Sequence, residues 1–241
     1  ATCTGFVAPG IDQIIASELG LDPQVERTLV GFMGRYAAVA PLRVAHHIVR
    51  SEPSARVLVV TVELSSLHLQ FEREIEPLLA MLQFGDGAAA ALVTAKPNGF
   101  GISRLFSITL ADTADLIRWT IGDEGFAMHL SGQVPGRVAH SLGGSEIRNL
   151  ILNGDSAETV DAWAVHAGGR SILDAVENGL GLAPKALRES REVLARFGNM
   201  SSSTLMFVLG DLLDDPKARN GVAMAFGPGL AAEGFSFKRV P

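Results

Sequence analysis

The chain has 241 residues, of which 47% are apolar, so it can bury the core of one large domain or two smaller ones. It carries 20 basic and 26 acidic residues spread along its length, a net charge of −6 that argues against nucleic-acid binding. Its apolar runs are too short to cross a bilayer, so we expect a cytoplasmic protein without membrane contact. A single cysteine, Cys3, excludes an intramolecular disulfide and argues against a thiolate metal site.

The first part of the chain alternates predicted helices and strands. Apolar residues at helical spacing predict a helix over residues 11 to 19, and an apolar strand is predicted near residues 27 to 33. A helix follows at "VAPLRVAHHIVR", with Pro41 in its first turns. The β-branched run "ARVLVVTVEL" then predicts a strand that helices bury on both faces. Together these elements predict a β-α-β unit.

The same order recurs after two further strands. "GAAAALVTA" and "SRLFSITLAD" are close enough in sequence for an antiparallel connection. From about residue 135 we predict seven elements in chain order. They are a helix at "GRVAHSLGGSEIRNLIL", a strand at "TVDAWAVH", helices at "GRSILDAVENGL", "PKALRESREVLARF" and "SSSTLMFVLGDLLDD", and two terminal strands at "NGVAMAFGPG" and "AEGFSFKRV". This recurrence predicts a layered α/β fold with two related halves, residues 1–134 and 135–241.

Two polar residues stand at element ends where α/β proteins often bind ligands. His166 ends an apolar strand and precedes Ala-Gly-Gly at a helix start, so its imidazole can donate to a ligand carbonyl or bond to loop backbone. Asn199 lies between two helices, where its amide can bond a carbonyl oxygen or cap a helix. For each residue, the sequence around it does not distinguish the ligand-binding role from the structural role.

Three glycine-containing loops accompany these residues. Residues 84–92, "FGDGAAAAL", form a tight turn into a strand, and they lack the Gly-Lys-Ser/Thr ending of a phosphate loop. Residues 225–229, "AFGPG", let backbone approach a ligand or simply form a turn. Residues 31–43, "GFMGRYAAVAPLR", form what we call the elbow, with Arg35 where such turns often present a nucleophile. A guanidinium stays protonated and cannot attack a carbonyl.

Four segments occur together in a characteristic order and spacing: "FGDGAAAALV", "WAVHAGGRSILDAVE", "REVLARFGNMSSSTLMFVL" and "AFGPGL". In combination they resemble the type III polyketide synthases, the chalcone-synthase-like branch of the thiolase superfamily, from "TCTGFVAPGID" to the C-terminus. The resemblance implies an αβαβα thiolase-like fold of duplicated half-domains, with the first half incomplete because the family has a substantial portion before "TCTGF". It also implies a homodimer that uses acyl-CoA and malonyl-CoA and needs no metal or organic cofactor.

The resemblance implies three catalytic positions. In the family, a cysteine accepts an acyl group from CoA, and a histidine and an asparagine hold the thioester carbonyl while malonyl-CoA decarboxylates and extends that group. The last two roles correspond to His166 and Asn199. The cysteine belongs eight residues before the arginine of "LR", and counting back from Arg43 gives Arg35. We therefore expect condensation to be impaired. Arg35 remains open to three interpretations: an inactivating replacement, a cation that binds a carboxylate or phosphate, or a sequence error.

The resemblance also implies substrate-binding positions. Phe84 matches an aromatic gatekeeper between the CoA tunnel and the acyl cavity, and Met128 occupies the place of a second one. Ser201 lines the cavity in the family, although it could equally cap the following helix. Cys3 belongs to a segment that lines the same cavity, where a small buried side chain is the expected role. The CoA arm passes two glycines in the family, here Gly168 and Gly169.

Two other functions remain open beside the polyketide-synthase-type acyltransferase. One is a non-catalytic relative that binds acyl-CoA or pairs with an active subunit, and the other is a ketoacyl synthase III-like condensing enzyme. The combination of "GNMSS" and "FGPGL" favours the polyketide branch. An intermediate case is decarboxylation of malonyl-CoA by His166 and Asn199 without acyl loading. An Arg35→Cys variant separates an enzyme that loads acyl groups from a relative that only binds them.

Overall fold

The computed structural model describes residues 1–5, 7–123 and 125–240, except for the side chain of residue 76. Its helices are α1 Ile11–Glu18, α2 Val39–Ser51, α3 Ile75–Leu82, α4 Val134–Gly143, α5 Ser145–Leu152, α6 Arg170–Leu180, α7 Arg188–Phe197 and α8 Ser202–Asp214. Its strands are β1 Val57–Glu63, β2 Gly87–Val93, β3 Gly99–Thr109, β4 Ile117–Gly122, β5 Gly125–Leu130, β6 Ala162–Val165, β7 Asn220–Gly227 and β8 Ala231–Val240.

A four-stranded sheet in the order β3-β8-β7-β6 forms the centre of the fold. β6 runs parallel to β7, and the other pairs are antiparallel. Because side chains alternate along a strand, Trp163 and Val165 join the apolar cluster under α4 and α6. Ala162 and Ala164 join the second cluster, under α2 and α8. Helices therefore cover both faces of this sheet, as the sequence of the second half predicts.

The predicted β-α-β unit is wrong in two places. Residues 27–33 form no strand, because Phe32 has a positive φ of 58° and the segment makes only an isolated bridge between Gly31 and Thr2. The run that forms β1 pairs antiparallel with β2 in a separate two-stranded sheet. Its burial alternates, with Leu58 43% exposed and Val59 buried, so helices do not bury both of its faces.

Three further elements differ from the sequence-based expectations. β2 and β3 do not pair with each other, since β2 pairs with β1 and β3 with β8. The long helix expected after residue 135 is divided into α4 and α5 at Gly144, whose ψ of 140° is extended. α3 and the hairpin of β4 and β5 were not predicted. Since β3 completes the central sheet, residues 1–134 supply an edge strand to residues 135–241, and the proposed division into halves stays a prediction.

The elbow consists of a bend, a 3₁₀ turn over Gly34–Ala38 and the start of α2. Gly34 is required here for two reasons: its φ is +66°, and a Cβ atom would lie 2.4 Å from Cδ of Pro228. The elbow therefore packs tightly against the loop after β7. Within the described residues, no helix has both the length and the apolar composition needed to cross a membrane.

Candidate active site

Arg35 is a buried cation without a counter-ion. It retains 6% exposure, and its Cζ atom lies 5.5 Å from the ring centroid of Phe84, a cation–π contact. No described residue accepts a hydrogen bond from its guanidinium or forms an ion pair with it. Burial lowers the pKa of Arg35 to about 10, so the group is still protonated at neutral pH. Folding has therefore withdrawn most of the Arg35 side chain from water, and no carboxylate among the described residues pairs with it.

His166 follows β6 directly and lies at the strand end that the sequence predicts. Its backbone N–H donates to the carbonyl of Met224 at 2.9 Å, and the residue is 1% exposed. Neither ring nitrogen has a hydrogen-bond partner among the described residues, so the imidazole is not bonded to loop backbone. Burial and, secondly, the charge of Arg35 lower the pKa of His166 to about 3. The ring is thus neutral at physiological pH and holds one free N–H donor.

Asn199 is fully buried between α7 and α8. Its Nδ2 donates to the carbonyl of Gly168 at 3.2 Å, and its Oδ1 accepts from the backbone N–H of Ser201 at 3.0 Å. Its backbone is fixed as well, because its carbonyl accepts from Gly85 N at 2.9 Å and its N–H donates to Gln83 O at 3.2 Å. One hydrogen of the side-chain amide has no acceptor among the described residues, so it is available to a ligand.

Gly168 is the point where these three side chains meet. A Cβ atom built on it would lie 3.5 Å from Nε2 of His166 and 3.8 Å from Cδ of Arg35. Its carbonyl accepts the hydrogen bond from Asn199. The structure therefore brings Arg35, His166 and Asn199 together, although 164 residues separate the first and last in sequence. Gly169 is the N-cap residue just before α6, and a Cβ atom on it would have open space around it.

A cavity of about 310 Å³ lies beside this group. Four of the predicted substrate-binding residues line it, namely Cys3, Phe84, Met128 and Ser201. Much of the remaining lining is aromatic or aliphatic, which suits an apolar ligand. Arg35, His166 and Asn199 are not among the lining residues, but Phe84 borders the cavity and also contacts Arg35 through its ring. Phe84 therefore connects the cavity to the polar group.

Cys3 cannot replace a thiolate at the elbow. Its Sγ accepts from the backbone N–H of Gly34 at 3.0 Å and donates to the carbonyl of the same residue at 3.6 Å. Burial and then the charge of Glu63 raise the pKa of Cys3 to about 12. At neutral pH it is a thiol, which is a poor nucleophile. This agrees with the small buried side chain expected from the sequence.

Glu63 is a buried carboxylate that sequence reasoning missed. It accepts from the backbone N–H of Cys3 at 3.1 Å, from the hydroxyl of Thr4 at 2.7 Å and from both the N–H and the hydroxyl of Ser202. These hydrogen bonds connect Cys3 and Thr4, near the N-terminus, to Ser202 at the start of α8. Its only sequence signal is a carboxylate at the end of an otherwise β-branched strand, which does not distinguish it from a solvated strand end.

Of the two roles that the sequence leaves open for Ser201, cavity lining and helix cap, the structure does not show the cap. It precedes α8, but its side chain makes no capping hydrogen bond, and its Oγ is buried without a partner among the described residues. Its φ of 49° is in the left-handed region, which is unusual for a serine. The cavity-lining interpretation of Ser201 is the one that agrees with its position.

Arg43 holds the elbow against the central sheet. In α2 it pairs with Glu233 of β8, which also accepts from the hydroxyl of Ser107 at 2.7 Å. Sequence reasoning used Arg43 only to count back to Arg35.

No group of three or more His, Cys, Asp or Glu side chains in the described part of the chain is placed to hold a metal ion.

Family models agree with this geometry over nearly the whole chain. The model of the N-terminal domain of chalcone and stilbene synthases matches residues 1–97, and the model of the C-terminal domain matches residues 106–241. The chain therefore belongs to the chalcone and stilbene synthase family, and the resemblance to type III polyketide synthases is confirmed.

Curated relatives of the chain are polyketide synthases. It is 37% identical over 248 residues to the alpha-pyrone synthesis polyketide synthase-like Pks18 of Mycobacterium tuberculosis, an alignment covering 98% of this chain and 63% of that protein. It is 33% identical over 254 residues to polyketide synthase 37 of Dictyostelium discoideum, covering 99% of this chain and 9% of the relative. The chain thus spans less than two thirds of the length of these relatives.

Solved structures of the family confirm the fold class. PKS-I from the brown alga Ectocarpus siliculosus superposes with a TM-score of 0.91 at 34% identity, over 99% of this chain and 67% of that one. The 1,3,6,8-tetrahydroxynaphthalene synthase of Streptomyces coelicolor A3(2) gives a TM-score of 0.91 at 30% identity, over 100% and 70%. The layered α/β structure is therefore a thiolase-like fold, as predicted.

Proposed function

We propose that the chain carries the site of a polyketide-synthase-type acyltransferase that condenses a starter acyl-CoA with malonyl-CoA, with acyl loading blocked at Arg35. The observation that carries the proposal is the meeting of His166 and Asn199 at Gly168, beside an apolar cavity. The proposal places the chain in polyketide biosynthesis, as a cytoplasmic homodimer without a metal or organic cofactor.

His166 and Asn199 are suited to hold a thioester carbonyl. Each offers one N–H donor that no described residue uses, and neither side chain is charged at neutral pH. Loss of CO₂ from a malonyl thioester moves negative charge onto the carbonyl oxygen, and fixed donors in a buried site stabilise that charge best. A single such donor typically contributes about 2.7–4 kcal/mol to a transition state. This pair would therefore supply the electrostatic part of the condensation.

Acyl loading needs a nucleophile that the elbow lacks. A protonated guanidinium has no electron pair to attack a thioester, and the pKa of Arg35 of about 10 keeps it protonated at pH 7. Cys3 is close in space, but its pKa of about 12 leaves it as a thiol. We therefore expect no covalent acyl intermediate in the natural sequence. An arginine at residue 35 is compatible with the fold, since its guanidinium stacks on Phe84 without displacing Cys3 from Gly34.

The cavity between the two gatekeeper positions would hold the acyl chain. Phe84 and Met128 both line it, and a methionine side chain is more flexible than the aromatic residue usual at the second position. The proposal therefore assigns Met128 to acyl-chain selection and Ser201 to the cavity floor. Gly168 and Gly169, without side chains, would leave room for the CoA arm at the start of α6.

Product formation tests this function. The chain and its Arg35→Cys variant are incubated with a medium-chain acyl-CoA and malonyl-CoA, and products are separated by liquid chromatography with mass detection. The proposal predicts extended products from Arg35→Cys and none from the natural sequence. Acetyl-CoA formed from malonyl-CoA in the same samples would report decarboxylation without loading. A folded Arg35→Cys variant that binds acyl-CoA but forms no product would instead support the non-catalytic relative.

A further inference from the structure

We propose that Arg35 and His166 form a binding site for a single carboxylate group, located in the space over Gly168. This inference goes beyond the proposed condensation, because it requires only two buried side chains and the space between them. It also replaces the open alternatives for Arg35 with a definite ligand chemistry.

The first observation is the missing counter-ion. Buried charges in proteins are normally paired, since an isolated buried ion is costly. In this chain Arg43 pairs with Glu233, and Arg191 pairs with Asp174 and Glu177. Arg35 is buried more deeply than these arginines, yet no described carboxylate reaches it. A bound anion would supply the charge that the protein omits.

The second observation is the unused donor beside it. Both ring nitrogens of His166 are buried without a partner in the described part of the chain, and one of them carries a hydrogen in the neutral ring. Buried polar atoms of this kind usually have a protein, water or ligand partner. An anion on the guanidinium of Arg35 would lie close to His166, since both side chains border Gly168. One ligand would therefore satisfy two otherwise unpartnered groups.

The third observation is that a carbon-sized atom fits at Gly168, between His166 and Arg35. An atom the size of carbon at the Cβ position of Gly168 would meet Nε2 of His166 at 3.5 Å and Cδ of Arg35 at 3.8 Å, ordinary van der Waals distances. Arg35 keeps 6% exposure, whereas His166 keeps 1%, so Arg35 is the more accessible of the two residues. Phe84, which lies under the guanidinium and lines the cavity, marks the route from the cavity to this space.

A carboxylate matches these groups better than a phosphate. One negative charge neutralises the one guanidinium, and the planar fork of arginine fits two carboxylate oxygens. A phosphate dianion would bring an excess negative charge that one guanidinium and the neutral His166 do not balance. The carboxylate could be a free small acid or the terminal carboxylate of a malonyl thioester. Both present the same group to Arg35, and they differ in whether the CoA portion is needed.

The test measures binding to the whole chain by isothermal titration calorimetry, with acetate, malonate, malonyl-CoA and acetyl-CoA as probes. Sodium chloride at equal ionic strength is the blank. Saturable binding of acetate and malonate beyond chloride indicates a free acid. Binding of malonyl-CoA at least tenfold tighter than acetyl-CoA, without binding of free acids, indicates the thioester-borne carboxylate. Equal affinity for the two thioesters and no effect of the free acids would overturn the proposal.

Variants assign the binding to this site. Arg35→Met removes the charge, and Gly168→Ala places a methyl group in the space while leaving the charge intact. Both should weaken carboxylate binding at least tenfold. Gly136→Ala in α4, where a Cβ atom meets nothing within 4 Å, is the matched control and should bind as the natural chain does. Unchanged binding in a folded Gly168→Ala variant would contradict the site even if Arg35→Met failed to fold. The titrations of the unchanged chain and of Gly168→Ala both keep Arg35, so their outcome is independent of acyl loading by Arg35→Cys.

Discussion

Replacing Arg35 with methionine should stabilise the protein in a buffer free of carboxylates. Burial lowers the pKa of Arg35 to about 10, roughly two to three pH units below that of a solvated guanidinium. Each pH unit corresponds to about 1.4 kcal/mol, so the charged form costs on the order of 3 kcal/mol at neutral pH. Methionine has a similar length and no charge, and it keeps an apolar contact with Phe84. Apolar replacement of buried ionic groups is often stabilising by about 1–4 kcal/mol.

Urea unfolding at pH 7, followed by circular dichroism, measures this difference. We expect the free energy of unfolding to rise by about 3 kcal/mol in Arg35→Met, which corresponds to roughly 6–12 °C in Tm for a chain of this size. The matched control is Arg118→Met, since the side chain of Arg118 is 54% exposed. That control should change stability by less than about 0.5 kcal/mol. A folded Arg35→Met variant that is equal to or less stable than the natural chain would refute the reasoning that Arg35 is buried without a partner.

Three further predictions concern the surroundings of the site. Glu63→Ala should lower the free energy of unfolding by about 3 kcal/mol, because four donors from Cys3, Thr4 and Ser202 lose their acceptor. The control is Glu192→Ala, which removes a side chain that is 60% exposed and should change the free energy of unfolding little in the same urea titrations. Ser201→Gly should raise stability by about 1 kcal/mol, since glycine adopts the φ of 49° without strain, and a loss of stability would show that the serine contacts outweigh the strain. The low pKa of His166, about 3, means that between about pH 6.5 and pH 3 the unfolded chain binds a proton there that the folded chain does not. Stability should therefore fall with decreasing pH across this window, less steeply in His166→Leu, and equal slopes for the two proteins would contradict the burial of a neutral imidazole.

The second half of the chain could be predicted well from sequence because its elements are buried and regular. Every residue of β6 is buried, α6 buries an apolar stripe that includes Leu173 and Val176, and β7 is buried after its first residue. Local pattern and tertiary burial agree in these elements, so the pattern identifies them. His166, Gly169 and Asn199 lie close to the ends of β6, α6 and α7, as the sequence pattern predicts.

The first half was harder to predict because its apolar residues are often exposed. Ile121 of β4 is 81% exposed and Phe71 is 88% exposed, so apolar side chains there do not mark a buried face. A strand was expected at residues 27–33, but Phe32 takes a left-handed conformation that extended structure excludes. The β-branched run of β1 is typical of a strand that is buried on both faces. In the structure, burial alternates along β1 and along its partner β2 instead.

The electrostatics of the site could not be predicted from sequence at all. The hydrogen bond from Ser202 to Glu63 joins residues that are 139 positions apart in sequence. The hydrogen bond from Cys3 to Glu63 joins residues that are 60 positions apart. The thiol character of Cys3, the neutrality of His166 and the missing partner of Arg35 all depend on such long-range neighbours. Sequence identifies which residue types are present, whereas their protonation and pairing follow from burial.

The proposed function requires that Arg35 alone prevents acyl loading at this site. Intact-mass spectrometry of the purified chain before and after incubation with acyl-CoA tests it most directly, with the natural sequence, Arg35→Cys and Arg35→Ser in parallel. We expect the mass of one acyl group on Arg35→Cys, removable by hydroxylamine, and no adduct on the unchanged chain or on Arg35→Ser. An adduct on the natural chain, or none on a folded Arg35→Cys variant, would contradict it.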